Sequence, residues 1–284
     1  METILKGTAK EVIIGPGRPT VIIGDRISAA NKEVANAIRD ANMMLVKQVA
    51  KAQAQAGADV INVNVKSDDV DEAKILPQVI QAVAEAVSLP ISIDTEEPEA
   101  LAAALAVCPG RPLVNSISCK EQSLSQLLPL AVQRGAAVIG LALGDEGIPK
   151  TVEARVELAR EVLRKSITAG LARADVILDP MVLPVKDDPK SAAITVNTIS
   201  QLRRIEAINL TLRPNGYAKS LPNCSVIDQF LTALAIYHGV NCPIINPWQG
   251  RQAILTADLL VGQDGAAARY MNSLNMETYD EQKI

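Results

Sequence analysis

Histidine is nearly missing from this chain: His238 is the only one in 284 residues. Aromatic residues make up 2%, with one Phe, one Trp and four Tyr. A lone histidine inside a helical pattern leaves no Ser/His or Cys/His pair for nucleophilic catalysis and reads as a packing or surface residue. The four cysteines, Cys108, Cys119, Cys224 and Cys242, are scattered with no CxxC pair. That spacing reads as reduced core thiols, not a zinc or disulfide framework. The net charge is −4, without the clustered basic surface that nucleic acid needs. No run reaches the ~18 uninterrupted apolar residues of a membrane span. The opening METILKGTAKEVII lacks the layout of a signal peptide. The expectation is a cytoplasmic protein with no nucleic-acid or membrane partner. No GxGxxG or GxxxxGK[ST] motif stands between a strand and a helix, and no helical pattern opens at GPGR (15–18) to make it a phosphate loop.

What is present is aliphatic. Hydrophobic residues make up 48%, mostly Ala, Val, Ile and Leu. Val- and Ile-rich runs recur at 20–26, 58–65, 90–95, 112–118, 136–143, 174–180, 207–214 and 242–248. Each run reads as a strand, and helical periodicity separates them. Helices are expected over 30–56, where Val34, Ile38, Leu45, Val49 and Ala52 form one stripe, and over 71–87, 97–107, 121–134, 151–169, 190–204 and 225–238. Pro98 and Pro189 stand where helices begin. Eight β-then-α units spell a (β/α)₈ TIM barrel, ahead of a doubly wound open sheet. We read residues 1–284 as one domain. EVIIGPGRPTVII (11–23) suggests a hairpin turning at Gly15-Pro16-Gly17, so residues 1–19 form a flap over the N-terminal mouth. Residues 264–284 read as a final helix end and a tail.

Chemistry on such a barrel sits at the C-terminal strand ends. In order these are Asp25 and Arg26, Asn62 and Asn64, Asp94, Asn115, the apolar Leu143, Asp179, Arg213 and Asn215, and Asn246. Asp94 and Asp179 stand out, because each closes an apolar strand with no helix for it to cap directly after. A cation site built on Asp25, Asp94 and Asp179 would leave the asparagines without a role, so no metal is expected. Lys66 reads as a rim charge. Carboxylates and amides with little acid–base equipment suit a flat heterocycle with adjacent N–H donors, such as a pterin or guanine-like edge. The bound molecule then brings its own chemistry.

The motifs VIIGDRIS, GADVINVNV, PISIDT, LVNSIS, LPLAVQRGAAVIGLALGDEGIPKT and VILDPMVLP give the chain a resemblance to the pterin-binding barrel family, over about residues 20–262. Within it, the chain resembles the methyltetrahydrofolate:corrinoid-protein methyltransferases. The resemblance implies a homodimeric barrel that takes tetrahydrofolate or methyltetrahydrofolate as substrate. It implies methyl exchange with the cobalamin (corrinoid) of a partner corrinoid protein. Carried over by motif, Asp94, Asn115 and Asp179 fall on pterin-binding positions, and Asn64 on a further strand end facing the pocket. The family's first-strand GERxN becomes GDRIS here, with Ser28 in place of the asparagine. Asn62 replaces a second-strand aspartate and Lys66 a glycine. The seventh-strand GLSN motif, whose asparagine meets folate N5, is replaced by LTLRPNGYAKSLPN. Asn215 or Pro214 takes that place, with Arg213 or Lys219 as substitute donors; we read Asn215 and Asp94 as catalytic. Such a site helps N5 less as a leaving group, which implies transfer from methylcorrinoid to tetrahydrofolate. The alternatives are a binding-only pterin barrel and a dihydropteroate synthase-like enzyme, whose GGxSTRPG loop and late Ser-Arg phosphate motif are absent.

Overall fold

The computed structural model describes residues 1–274. Among the described residues, ten strands form two sheets. β1 (Thr3–Lys6) and β2 (Glu11–Ile14) make an antiparallel hairpin. β3 (Ile23–Ser28), β4 (Val60–Asn64), β5 (Ile91–Asp94), β6 (Leu113–Ile117), β7 (Ala137–Leu141), β8 (Val176–Asp179), β9 (Asn209–Leu210) and β10 (Ile244–Ile245) are all parallel. Their order is β10-β3-β4-β5-β6-β7-β8-β9. Backbone bonds from Asn241 N to Leu210 O (3.0 Å) and from Ile244 N to Leu212 O (2.9 Å) join the two edges. This is the expected (β/α)₈ barrel, and all eight anticipated strands are present.

The helices are α1 (Lys32–Arg39), α2 (Met43–Gln55), α3 (Glu72–Ala86), α4 (Pro98–Val107), α5 (Leu128–Arg134), α6 (Val152–Thr168), α7 (Ser191–Ile205), α8 (Cys224–His238), α9 (Pro247–Leu260) and α10 (Ala268–Leu274). Apart from Leu141, the barrel strands bury all their Val, Ile and Leu, because they are covered on both faces. Inside the barrel, Ile23, Val60, Leu113, Ile139, Ile177 and Ile244 pack on Leu5, Val12 and Ile14 of the hairpin. The hairpin thus plugs the N-terminal end, and Lys6 bridges Arg111 just before β6. Among the described residues, no helix is long and apolar enough to cross a membrane.

Four expectations need correction. The hairpin turns at Gly7–Lys10, where Gly7 N bonds Lys10 O at 2.8 Å; Gly15-Pro16-Gly17 instead leads out of it toward β3. The expected helix 30–56 is two helices, broken where Ala41 takes φ 50° and Asn42 caps α2 by accepting from Leu45 N. The expected helix at 121–134 opens with a π-turn over Ser123–Leu127 before α5. The expected strand over 242–248 ends at Ile245: Asn246 already caps α9, a helix not anticipated, and Pro247 stands in its first turn. At the C-terminus, Asp264 accepts from Arg269 N and Tyr270 N to start α10; residues 275–284 lie outside the described residues.

Candidate functional site

Successive side chains of β4 point to opposite faces of the sheet, and alternate ones to the same face. Asn62 and Asn64 therefore share a face, opposite Ser92 and Asp94 of β5. Asp94 in turn pairs in register with Asn115 of β6. Register alone brings these side chains together, and they bond to one another. Asp94 Oδ2 accepts from Asn62 Nδ2 at 2.9 Å, and its Oδ1 accepts from Asn64 Nδ2 at 3.0 Å. Asn62 Oδ1 accepts from both Ser92 Oγ (2.9 Å) and Asn115 Nδ2 (3.0 Å). Asn64 Oδ1 takes the Lys66 backbone N–H at 3.2 Å. Lys66 itself pairs with Glu96 at the rim, as its reading as a rim charge implied.

Arg213 comes from the other side of the mouth. Around an eight-strand ring, β9 and β5 lie four strands apart in either direction. The guanidinium therefore spans the opening to reach Asp94 Oδ2 at 2.7 Å. Burial works against the Arg213 charge, but the Asp94 ion pair and the nearby Asp25 and Asp179 carboxylates hold it above its ordinary value. Its Nε is buried without a partner.

Asp179 ends β8 and is buried. Its Oδ1 accepts the Met181 N–H at 2.7 Å, bracing the turn that follows; as expected, no helix begins directly after it, the next starting at Ser191. Burial pushes its pKa up to about 6, against the pull of that N–H and of Arg213 and Arg155. Asp25 on β3 accepts from Asn215 Nδ2 through Oδ2, while its Oδ1 is buried and unpartnered. Burial raises Asp25 as well, with Arg213, Asn215 and Arg26 opposing. Ser28 closes β3, and its hydroxyl accepts from Ala30 N at 3.2 Å. Asp94, Asn115, Asp179, Asn64, Arg213, Asn215 and Ser28 thus all lie at one barrel end. Lys219 is exposed on the loop beyond them, and Pro214 is buried. His238 ends α8 and bonds elsewhere, with Nδ1 2.6 Å from Ser200 Oγ.

Two residues of this region were not anticipated. Met181 takes φ 61° directly after Asp179-Pro180, a conformation that costs a non-glycine residue energy. Arg155, fully buried on α6, holds it: Nη1 donates to Met181 O at 2.7 Å and to Thr195 Oγ1 at 2.8 Å, and Nε donates to Pro149 O at 2.7 Å. Thr195 Oγ1 also bonds Met181 O at 2.7 Å. The only sequence signal for this anchor is an arginine on the buried stripe of α6, where a solvated charge is the usual reading. Among the described residues, no three of His, Cys, Asp or Glu converge as a metal would require.

The family described as "Pterin binding enzyme" matches residues 29–215, well over half of the chain. A methylcorrinoid:tetrahydrofolate methyltransferase from Eubacterium limosum is 28% identical over 255 residues, covering 88% of this chain and 94% of its own. The methionine synthase of Mycobacterium tuberculosis is 24% identical over 65% of this chain and 16% of its own. Among solved structures, a Yersinia pestis dihydropteroate synthase superposes with TM-score 0.69 at 16% identity, over 92% of this chain and all of that one. One from Thermus thermophilus does so with TM-score 0.63 at 17% identity, over 91% of this chain and all of that one. These two show the fold. This chain belongs to the pterin-binding enzyme family.

Proposed function

We propose that this protein transfers a methyl group between a corrinoid carried by a partner protein and N5 of tetrahydrofolate, running from methylcorrinoid to tetrahydrofolate. The observation that carries the pterin part is Asp179. A buried carboxylate with one backbone N–H on it is costly unless a further donor arrives. The adjacent N3–H and 2-amino donors of a pterin supply that need. Asn115 and Asp94, already fixed by Asn62 and Asn64, would meet the neighbouring ring atoms. Ser28 sits at the edge of the same mouth. The methyl-transfer part is supported by the relative from Eubacterium limosum, whose name states that reaction and which aligns along most of its length.

The direction rests on the end of β9. Removing a methyl group from N5 requires a proton or a donor at that nitrogen. Asn215, the amide read at this position, spends an N–H on Asp25. In the proposed direction, the N5 lone pair attacks the methyl carbon, the carbon–cobalt bond breaks with its electron pair left on the metal, and the N5 proton departs. The reading also includes a homodimer. The outer face of α8 exposes Val226, Phe230, Leu234 and Tyr237, with Phe230 at 70% and Tyr237 at 72%. A chain with one phenylalanine places it in solvent, as an unpaired interface would.

Mixing the protein with tetrahydrofolate and methylcobalamin should produce the cob(I)alamin absorbance band. The reverse mixture, methyltetrahydrofolate with cob(I)alamin, should decay more slowly. A strong preference for the reverse mixture refutes the direction. Folate binding without either reaction points to a binding-only barrel. Condensation of a pterin diphosphate with 4-aminobenzoate would point to the dihydropteroate synthase reading. Light scattering should give a dimer that Phe230→Glu converts to a monomer.

A further inference from the structure

The function proposed above leaves Asp25 without a task, although it is the most awkwardly placed carboxylate in the mouth. It is buried on β3, one oxygen is held by Asn215 and the other has no partner. Nothing in the packing of the barrel requires an acid there, since the hairpin and the inward Ile and Val side chains fill the interior below it. The hydrogen bond it does make has a fixed sense. An ionised carboxylate can only accept, so Asn215 must turn its NH₂ toward Asp25. The planar amide then presents its carbonyl oxygen on the other branch. Asn215 is exposed and borders the cleft that Arg26, Pro214 and Asn246 also line, so this oxygen is what it offers a ligand there.

Which part of a pterin lies nearby follows from the neighbours of Asp179. With the N3–H and 2-amino donors on Asp179, the C4 carbonyl falls toward β7 or toward β9. β7 ends in the apolar Leu141, the register partner of Asp179. The β9 side holds Arg213, the cation a carbonyl oxygen would choose. N5, bonded to C4a, lies peri to that carbonyl on the same edge, so it too faces Arg213 and Asn215.

On this basis, and resting on the folate reading above, we propose that Asp25 is a positioning residue that orients the Asn215 amide to accept the N5–H of tetrahydrofolate. The arrangement discriminates between the two folates. Tetrahydrofolate has a hydrogen on N5 to donate, and 5-methyltetrahydrofolate does not. The acceptor oxygen therefore favours the methyl acceptor over its product and helps the product leave. Without Asp25 the amide is free to turn and the preference disappears.

Isothermal titration of the full chain with tetrahydrofolate and with 5-methyltetrahydrofolate tests this. The wild type should bind tetrahydrofolate about tenfold more tightly, the worth of one hydrogen bond. In Asp25→Asn the partner at 25 both donates and accepts, and the ratio should fall to within about twofold of unity. Asn215→Ala should do the same. A merely structural role for Asp25 would weaken both ligands together and leave their ratio unchanged. The inference is overturned by an unchanged ratio in either variant, or by tighter binding of the methylated folate to the wild type. If circular dichroism shows Asp25→Asn unfolded, Asn215→Ala decides alone. A wild type that binds neither folate refutes the folate reading itself. One that binds both without transferring methyl refutes only the reaction.

Discussion

The ends of β4, β5 and β6 carry the same kinds of side chain as the ends of β8, β9 and β3, but the two groups have settled differently. In the first, Asn62, Asn64, Ser92, Asp94 and Asn115 answer each other, and none of their buried polar atoms is left without a partner among the described residues. In the second, Asp25 Oδ1 and Arg213 Nε are buried and unpartnered, and Asp179 rests on one backbone N–H. Asp228 on α8 lines the cleft with Asn215; its Oδ1 is also unpartnered, and burial pushes that acid up to about 6. Buried polar groups are normally satisfied; orphans occur elsewhere among the described residues too, as at Ser166 and Gln263, but at the mouth they fall in this group and not in the first, which leaves bonding capacity here. The closed half is a frame that holds its geometry before ligand arrives. The open half is where a ligand returns the most energy.

The comparison is broken most severely at Asp179. Asp179→Ala removes an acceptor of charge-assisted hydrogen bonds, and tetrahydrofolate affinity should fall by about 2–4 kcal/mol in a titration. The folded protein should not suffer. Because burial raises this acid from 3.8 to about 6, its ionised form opposes folding. That cost is absent below the ordinary value and complete above about pH 6. Folding stability of the free protein should therefore decline as pH rises from about 4 to about 6. Asp228 adds to the same window, so Asp179→Asn should reduce the slope without abolishing it. Folate affinity should move the other way, weakening about tenfold per pH unit below 6 as the acceptor is protonated. A stability profile flat over this window, or folate affinity unchanged in Asp179→Ala, removes the distinction between the halves.

Asn62 tests the other half. Its side chain is shared by Ser92, Asn115 and Asp94, so Asn62→Ala leaves several buried groups short of a partner. Chemical denaturation should show a loss of about 1–3 kcal/mol. Tetrahydrofolate binding should weaken less than in Asp179→Ala, since Asn62 acts through the residues it positions. A stable variant that cannot bind folate would make Asn62 a ligand contact and dissolve the frame.

These halves were unevenly legible in the sequence. Strand alternation and the recurring Val/Ile runs give the eight strands and place Asp94, Asn115 and Asp179 at their ends. Which residues satisfy one another depends on register between strands, and no single run encodes register. The break between α1 and α2 was hidden for a geometric reason. Ile38 and Leu45 are seven residues apart, two helical turns, so the apolar stripe passes through Asp40–Asn42 as if nothing interrupted it. The hairpin was read at Gly15-Pro16-Gly17, the stronger local turn signal, and only the pairing of Thr3 with Ile14 puts the turn at Gly7–Lys10. Arg155 was invisible because its purpose, holding Met181 at φ 61°, is a property of a turn that lies 26 residues away in the chain.

The smallest effect sharpens where the frame ends. Ser28 stands beside Asn64 in the β3–β4 register, and its short hydroxyl already takes the Ala30 N–H. Any bond it gives a pterin is neutral and shares that oxygen. Ser28→Ala should cost about 0.5–1 kcal/mol in tetrahydrofolate affinity, with a similar or smaller loss of stability from the released turn. Ser28→Asn restores the longer amide that the family's first-strand motif carries and reaches further into the mouth. It should recover the affinity lost in Ser28→Ala and exceed wild type if Ser28 faces the ring. A Ser28→Ala loss as large as that of Asp179→Ala would move β3 wholly into the open half. No loss at all would confine β3's contribution to Asp25.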